Sequence, residues 1–183
     1  YDEYTKGKMT RETMAEKRSA FLLFINTAKG TGAGTYALVG DGVTELTISY
    51  NPQTSTEQYI HQDTATTEMT GYQPNAPVTS QAVKGDQAFE FINDMRRRLP
   101  IGSDAHTDIV MVDVFETASS GSYPATRQPV SIQIDSYGGA ASDPLSIGYT
   151  INWRGAGEDG TFNPETKVFT KGASAAANME EEE

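Results

Sequence analysis

The segment 145–153 alternates apolar and polar side chains over its whole length. Its apolar positions are Leu145, Ile147, Tyr149, Ile151 and Trp153. Side chains two positions apart share one face of an extended chain, so this spacing predicts a β-strand with one buried face. Its polar positions are mostly serine, glycine, threonine and asparagine. Solvent-facing strands usually carry more charge, so the composition favours a sheet that forms a wall with other subunits.

Three other segments show the same period or a continuous apolar run. Residues 21–25 are all apolar and predict a buried strand, and residues 130–135 alternate with the polar residues serine, glutamine and aspartate. Residues 108–116 are apolar on both faces apart from Asp113. A strand of that kind lies in the centre of a sheet or is covered on both sides.

Residues 43–50 predict a half-buried strand with Leu46, Ile48 and Tyr50 on one face. Gly40 and Gly42 precede it and supply the positive φ angles that a tight reversal from residues 36–39 would need. Residues 167–170 predict a short closing strand. With 17 glycines and 8 prolines in 183 residues, the chain has the composition of a turn-rich β protein.

One helix is predicted, over about residues 86–99. Asp86 stands at the N-cap position, Pro100 ends the pattern, and Phe89, Ile92, Met95 and Leu99 recur at helical spacing. The fold class is therefore mainly β with one α-helix. The residues that we expect in its core are Leu46, Ile48, Phe89, Ile92, Val112, Ile132, Ile147, Ile151 and Trp153.

Arg96, Arg97 and Arg98 form a basic cluster in the last turn of this helix. Cations in that position interact favourably with the carbonyl end of the helix dipole. A second interpretation is that these arginines form ion pairs with an acidic neighbouring subunit.

The segment 54–70 contains six threonines and only Tyr59, Ile60 and Met69 as large apolar residues. Threonine favours extended backbone, but so little apolar surface cannot offset the entropy lost on ordering a free arm. The segment is therefore either a mobile surface loop or an arm that lies against a neighbouring molecule. The arm contacts would be made by Thr54, Thr56, Glu57, Tyr59, Ile60, His61, Thr64, Thr66, Thr67, Glu68 and Thr70.

The chain is acidic, with a formal net charge of −11. The four glutamates at residues 180–183 account for four of these charges, which leaves −7 for the remainder. An acidic body argues against binding nucleic acid through its phosphates, although a polyanion could pass along such a surface without adhering. No apolar run reaches the length of a membrane span, and we expect a soluble protein made in the cytoplasm.

The sequence contains no catalytic or metal-binding signature. It has no cysteine, no G-x-S-x-G or Ser-x-x-Lys motif, and its two histidines, His61 and His106, lack metal-ligand spacing. Asp113 is the best lone carboxylate for a perturbed pKa, with no second carboxylate placed beside it by the pattern. Trp153 could serve as a sugar-stacking platform, but its spacing places it in the core. We therefore predict a protein that is not an enzyme and binds no cofactor or metal.

Several stretches together resemble the tail tube (major tail) proteins of tailed bacteriophages, particularly those with long non-contractile tails. The first is Gly42-Val-Thr-Glu-Leu-Thr-Ile-Ser-Tyr-Asn-Pro52, followed by Glu57-Gln-Tyr-Ile60 and Gly71-Tyr-Gln-Pro74. The others are the helix that opens at Gly85-Asp86, Leu145-Ser-Ile-Gly-Tyr-Thr-Ile-Asn152, and Gly160-Thr-Phe-Asn-Pro164 with Thr166 and Lys167. They cover residues 36–170.

The resemblance implies a β-sandwich or barrel with one flanking helix and a long hairpin or loop arm. Such subunits assemble into stacked, hexameric rings whose inner sheets surround a lumen that DNA crosses during ejection. It also implies the partners: other copies of the same chain, a tape-measure protein, and tail terminator and baseplate proteins, with DNA only in transit. The protein would be located in the virion tail after synthesis in the host cytoplasm.

On this basis we divide the chain into an N-terminal arm (1–20), a tail-tube-like domain (21–170) and a flexible acidic tail (171–183). The resemblance assigns contacts between rings to residues 54–70 and to the N-terminal arm. Two alternatives remain open at this point. One is the inner tube of a contractile tail or secretion system, and the other is a β-sandwich module that binds carbohydrate or a cell surface.

Overall fold

The computed structural model describes residues 15–28, 35–61, 63–116 and 118–172. Within them the chain forms eleven β-strands, one α-helix and two short 3-10 turns, at Arg18–Ala20 and Gly102–Ala105. The helix α1 spans Gln87–Arg98. The strands are β1 (Phe21–Asn26), β2 (Tyr36–Leu38), β3 (Val43–Leu46), β4 (Pro52–Glu57), β5 (Thr66–Tyr72), β6 (Asn75–Gln81), β7 (His106–Asp113), β8 (Tyr123–Gly138), β9 (Ser146–Trp153), β10 (Glu158–Asn163) and β11 (Val168–Lys171).

Nine strands form one antiparallel sheet, in which the main order is β2-β1-β7-β8-β9-β6-β3. Strand β8 organises it, because its 16 residues are long enough to pair with three neighbours. It pairs with β7 through residues 125–131, with β9 through residues 130–138 and with β10 through residues 123–127. Strand β11 pairs with β10. The remaining two strands, β4 and β5, pair only with each other within the described residues.

The sheet curls into a half-barrel. Its two end strands, β2 and β3, are joined by residues 39–42 alone, so the opposite ends of the sheet must approach each other. The Val39 amide donates to the Leu23 carbonyl of β1 at 2.9 Å, and the Gln81 amide of β6 donates to the Gly42 carbonyl at 3.0 Å. Gly42 has a φ of 76°, and a Cβ atom there would lie 2.9 Å from the Gln81 carbonyl oxygen, so only glycine fits.

A turn exists at the predicted place, with the Val43 amide donating to the Gly40 carbonyl at 3.0 Å, but only Gly42 has the positive φ predicted for both glycines. The strands that the turn connects are not paired with each other. Strand β2 pairs with β1, and β3 pairs with β6. Strand β3 is also shorter than predicted. It ends at Leu46, and Tyr50 is exposed rather than sharing a buried face with Leu46, because the chain leaves the sheet there to enter β4.

The interior contains two apolar clusters on opposite sides of β7. Ile109 and Met111 belong to the larger cluster, while Val110 and Val112 belong to the smaller one around Phe162. The prediction that this strand is covered on both faces is confirmed for residues 108–113. Its predicted extension to residue 116 is wrong, because β7 ends at Asp113 and the turn that follows leaves Phe115 exposed. Of the predicted core residues, Leu46, Ile92, Val112, Ile132, Ile147 and Ile151 are buried. Ile48, Phe89 and Trp153 are partly buried and pack against the larger cluster.

Helix α1 lies against the larger cluster through Ala88, Ile92 and Met95. Its predicted N-cap is confirmed, because the Asp86 side chain accepts a hydrogen bond from the Phe89 amide at 3.1 Å. Leu99 was wrongly expected on the buried face. It takes a left-handed backbone conformation just after the helix and is exposed, since the chain no longer follows the helical spiral there.

The prediction of a mainly β fold with one helix is confirmed. Most of the predicted N-terminal arm and acidic tail lies outside the described residues, so those boundaries stay predictions. Within the described residues, no helix is both long and apolar enough to span a membrane.

Candidate functional site

Strands β4 and β5 form a hairpin that stands apart from the main sheet. They pair in antiparallel register from Pro52 opposite Tyr72 to Glu57 opposite Thr66, with an irregularity after Gln53. Every residue of β4 is exposed, and in β5 every residue except the half-buried Gly71 is exposed. The hairpin therefore presents both of its faces and its outer strand edges to solvent.

Hydrogen bonds between its own residues hold the two strands of this hairpin together. The hydroxyl groups of Thr56 and Thr67 lie 2.9 Å apart across the two strands, and the Thr70 hydroxyl donates to the Gln53 carbonyl at 3.1 Å. Near the tip, the Tyr59 hydroxyl donates to the Glu57 carboxylate at 2.9 Å. A two-stranded hairpin of this kind is only marginally stable in water without further packing.

The base of the hairpin is fixed to the sheet by polar contacts. Ser49 and Asn75 exchange two backbone hydrogen bonds, at 2.8 and 2.9 Å. The Asn51 side chain donates to the Gln73 carbonyl at 3.0 Å, and its own backbone has a φ of 43°, a conformation that asparagine tolerates better than most residues. These contacts set the direction in which the hairpin leaves the body.

Three large apolar side chains of the hairpin are unprotected. Ile60 at the tip is fully exposed, and Tyr59 and Met69 are each more than half exposed. Tyr59 stacks on His61 with 6.1 Å between ring centroids, which is a contact within the tip itself. All residues predicted for the arm lie in this hairpin or its connecting loop and are exposed: Thr54, Thr56, Glu57, Tyr59, Ile60, His61, Thr64, Thr66, Thr67, Glu68 and Thr70.

The outer face of β6, β8 and β9 is polar but nearly uncharged. Pro77 of β6 lies opposite Thr150 of β9, which lies opposite Gln133 of β8. The carboxylate of Asp135, at an irregularity in β8, accepts hydrogen bonds from Gln133 and Thr150, both at 2.6 Å. The sequence pattern indicated this face for β8 and β9. It missed the contribution of β6, whose outward positions are Asn75, Pro77, Thr79 and Gln81.

The three arginines at the end of α1 have different surroundings. The Arg96 guanidinium lies 3.9 Å from the Tyr137 ring centroid and also donates to Asn93. Arg98 forms an ion pair with Asp94 at 2.8 Å. Arg97 is exposed, and among the described residues it forms no ion pair. The expectation of intersubunit ion pairs stays a prediction, and Arg97 is the arginine best placed for it.

A polar network links the ends of several strands inside the smaller cluster. The Asp108 carboxylate accepts from Asn26 and from the Tyr36 hydroxyl, each at 2.7 Å. Burial and the hydrogen bond to Asp108 raise the pKa of Tyr36. Glu158 accepts from Lys171 and Arg127, and these two hydrogen bonds lower its pKa. These groups satisfy one another's hydrogen bonds, which is a structural role.

The described residues contain no group of histidines and carboxylates that could hold a metal ion. Burial, with a smaller contribution from Glu116, raises the pKa of Asp113 above its ordinary value. Asp113, the lone carboxylate singled out for a perturbed pKa, thus has a raised one. The alternating pattern placed no second carboxylate beside it, but the turn after β7 brings Glu116 close, with the Glu116 amide donating to the Asp113 carbonyl at 3.2 Å.

An open cleft of about 870 Å³ lies at the base of the hairpin. Its walls combine amide side chains with two aromatic rings, Tyr72 and Trp153. Local spacing in the sequence does not predict this cleft, because its walls come from four separate segments of the chain. The amides are those of Asn51, Gln53, Gln73, Asn75, Gln128 and Asn152.

No protein-family model and no curated protein sequence matches this chain. Solved structures that are similar to it in fold include two chains from phage-like particles. The first is a chain from the tail of an empty gene transfer agent (GTA) particle, determined by helical refinement with C6 symmetry. It has a TM-score of 0.55 and 16% sequence identity, and the alignment covers 78% of this chain and 97% of that one. The second is a chain from the virion of the native GTA particle, with a TM-score of 0.54, 14% identity, and coverage of 85% and 99%.

These alignments span nearly the full length of the two GTA chains, so the likeness extends beyond a shared sheet. The chain therefore has the fold of a protein of a phage-like tail, which is the fold that its resemblance to tail tube proteins implied.

Proposed function

We propose that this protein is a structural subunit of a virion tail, which assembles with copies of itself into stacked rings that form the tail tube. The fold supports this role, since the similar chains come from a GTA tail and a GTA virion. The tube would conduct DNA during ejection, and the protein would perform no catalysis.

The observation that carries the proposal is the β4–β5 hairpin. It exposes Tyr59, Ile60 and Met69 and pairs with no other strand of the described chain. Exposed strand edges with apolar side chains usually promote uncontrolled association, and proteins protect them with charge or cover them. A hairpin that lacks such cover is well suited to lie on a neighbouring subunit, where burial of each large apolar side chain contributes about 1.5–3 kcal/mol.

We assign the hairpin to contacts between successive rings. The similar GTA tail has C6 symmetry, and for this chain we propose rings of six subunits. A ring closes all lateral contacts, so an element that projects from the body remains available for the next ring. The other partners in this proposal are a tape-measure protein inside the tube and terminator and baseplate proteins at its ends.

The uncharged outer face of β6, β8 and β9 is our candidate for the wall of the tube. Hydroxyl and amide groups supply few fixed charges, and the chain as a whole is acidic. DNA could therefore move along this surface without the phosphate contacts that clustered lysine and arginine would make. The protein would reside in the virion after synthesis in the host cytoplasm.

Electron microscopy of the purified protein tests this function. We expect negatively stained rings or tubes of uniform diameter, together with a high-mass fraction in size-exclusion chromatography that grows with concentration. Class averages of end-on views would give the number of subunits per ring. Persistent monomers at millimolar concentration, with no rings or tubes, would contradict the proposal.

The cleft at the hairpin base supports a second candidate, a carbohydrate-binding module. Aromatic rings beside several amide groups are suited to sugar rings and hydroxyl groups, and Trp153 is only partly buried there. This candidate predicts saturable binding on a glycan array, and loss of that binding in Tyr72→Ala. An array without signal would remove it, whereas tube formation would leave it open as an additional property.

A further inference from the structure

The end of helix α1 carries an unusual apolar projection. Leu99 has φ 46° and ψ 61°, a left-handed conformation for which glycine is strongly preferred at this position. Its side chain is 66% exposed, and Ile101, two residues later, is 84% exposed. A strained backbone that displays a large apolar side chain to solvent points to a contact outside the chain. We call residues 99–101 the knob.

A second unusual feature is an apolar groove between β1 and β3, of about 520 Å³. It lies where the curled sheet fails to close. Within the part of the chain that the structure describes, β2 pairs only with Phe24–Asn26 of β1 and β3 pairs only with β6, so no described strand lies between the facing edges of β1 and β3. Phe21, Leu22, Leu38 and Val43 line the groove.

Arg18 spans this groove at one end. Its guanidinium donates to the Phe21 carbonyl of β1 at 2.8 Å and to the Leu46 carbonyl of β3 at 3.2 Å. The Arg18 side chain thus bridges β1 and β3 at one end of the groove and leaves the apolar residues of the groove accessible. The groove is therefore a concave surface whose two sides are bridged by Arg18.

The knob and the groove lie at opposite ends of the same helix. The N-terminal end of α1, at Asp86 and Gln87, lies beside Leu38, and Leu38 also lines the groove. The knob follows the C-terminal end of α1. Twelve helical residues span about 18 Å, so a knob cannot reach the groove of its own chain, but it can reach that of a neighbour.

The charge of Glu45 at the groove is complementary to that of Arg97 beside the knob, and the other charged residue of the groove, Arg18, is held by the Phe21 and Leu46 carbonyls. Glu45 lies on the wall of the groove and is exposed, and Arg97 is exposed beside the knob. Among the described residues, neither forms an ion pair with another side chain. Arg96 and Arg98 are already occupied by Tyr137 and Asp94, which leaves Arg97 for an external carboxylate.

We propose that the knob of one subunit docks into the groove of the next copy of the same chain, with Arg97 of the first facing Glu45 of the second. A contact between two different surfaces of identical chains is head-to-tail, and it generates a ring if its rotation closes. This inference rests on the proposed function and assigns its lateral contact. It does not involve the hairpin.

Leu99→Gly gives a test with two opposite effects. Glycine suits the left-handed conformation, so the thermal midpoint of the monomer should stay the same or rise, while the concentration needed for ring formation should rise at least tenfold. Ile101→Ser should also impair assembly. Val168→Ser, at an exposed apolar residue of β11, is the matched control and should assemble normally. Normal assembly of both knob variants would overturn the inference.

Charge reversal tests the pairing itself. Glu45→Arg alone and Arg97→Glu alone should each weaken ring formation about tenfold, because each places like charges in contact. The double variant should recover most of the loss. Equal defects in the single and double variants, or none in any, would overturn the assignment of this pair.

Cross-linking separates failure of this inference from failure of the proposed function. The chain has no cysteine, so Leu99→Cys combined with Val43→Cys introduces the only thiols. A short bis-maleimide should then join subunits into a ladder that ends at the ring size, and Val168→Cys with Val43→Cys should not. Tubes without a ladder would overturn the inference alone, whereas a ladder without any tubes would overturn the tube and leave the contact intact.

Discussion

The strand pairs β4–β5 and β8–β9 are both antiparallel, but they differ in how much of their side-chain surface is buried. In β9 the inward positions Ile147, Tyr149 and Ile151 are buried. In β4 every residue is exposed, although its backbone is paired just as regularly. Backbone hydrogen bonds thus define a strand in both regions, but only apolar side chains at every second position attach a strand to a core.

Under the proposed function, this difference separates the residues that fold the body from those that would make contacts between subunits. The curled sheet and α1 supply the apolar clusters, so the body does not depend on the hairpin for its stability. The hairpin has little apolar surface of its own to keep it ordered, and its large apolar side chains become protected only against another molecule. We therefore expect changes in the two regions to affect different measurements.

Of the changes that test this comparison, removing the hairpin should have the largest effect. It should prevent assembly and leave the stability of the monomer nearly unchanged. Gln53 and Gly71 are opposite each other in register, so residues 54–70 can be replaced by a two-residue Asn-Gly turn, which closes antiparallel strands well. We expect the shortened protein to keep its circular dichroism spectrum and its thermal midpoint to within a few degrees, and to form no tubes.

The full-length protein, purified in parallel, is the control for this deletion. If the shortened chain were unfolded, the hairpin would belong to the body after all. If it still formed tubes of normal length, the hairpin would have no part in stacking the rings.

Two isoleucines, one in each region, test the same contrast through the free energy of unfolding. Ile151 is completely buried in β9, and Ile60 is fully exposed at the hairpin tip. Ile151→Ala should lower the free energy of unfolding by about 2–5 kcal/mol, through lost burial and the cavity that remains. Ile60→Ala should change it by less than about 0.5 kcal/mol. Urea unfolding of both variants measures this, and similar losses at the two sites would refute the distinction.

The smallest expected effect concerns Asp113, whose pKa is raised mainly by burial. The folded state therefore binds the proton of Asp113 more tightly than the unfolded state does. This preference stabilises the fold below the ordinary pKa of 3.8, and the stabilisation is lost as the pH rises through the pKa of Asp113 in the folded protein. Asp113→Asn should accordingly raise the thermal midpoint at pH 7, and the gain should shrink as the pH falls toward 4.

Glu68→Gln is the matched control, because it removes a carboxylate from the exposed hairpin and should leave the thermal midpoint nearly unchanged. Thermal melts of both variants from pH 4 to pH 8 make the comparison. A gain for Asp113→Asn that is independent of pH would show that ionisation is not its cause.

The sequence by itself determined the local elements that obey a period or a cap. The alternation at 145–153 predicted β9, the apolar positions on both faces of 108–116 predicted a strand between two clusters, and Asp86 marked the start of α1. Each of these depends on residues a few positions apart, which is the range over which side-chain spacing acts. The threonine-rich composition of 54–70 likewise indicated that this segment has no place in the core.

Only the tertiary structure decided what depends on residues far apart in the chain. Strands β2 and β3 are consecutive in the sequence, yet β2 pairs with β1 and β3 pairs with β6. The reason is that the sheet curls until its two end strands approach each other at the turn around Gly42. The groove between β1 and β3 and the amide-lined cleft likewise bring together residues from separate segments. Such features arise from the path of the whole backbone, and no local pattern of side chains encodes it.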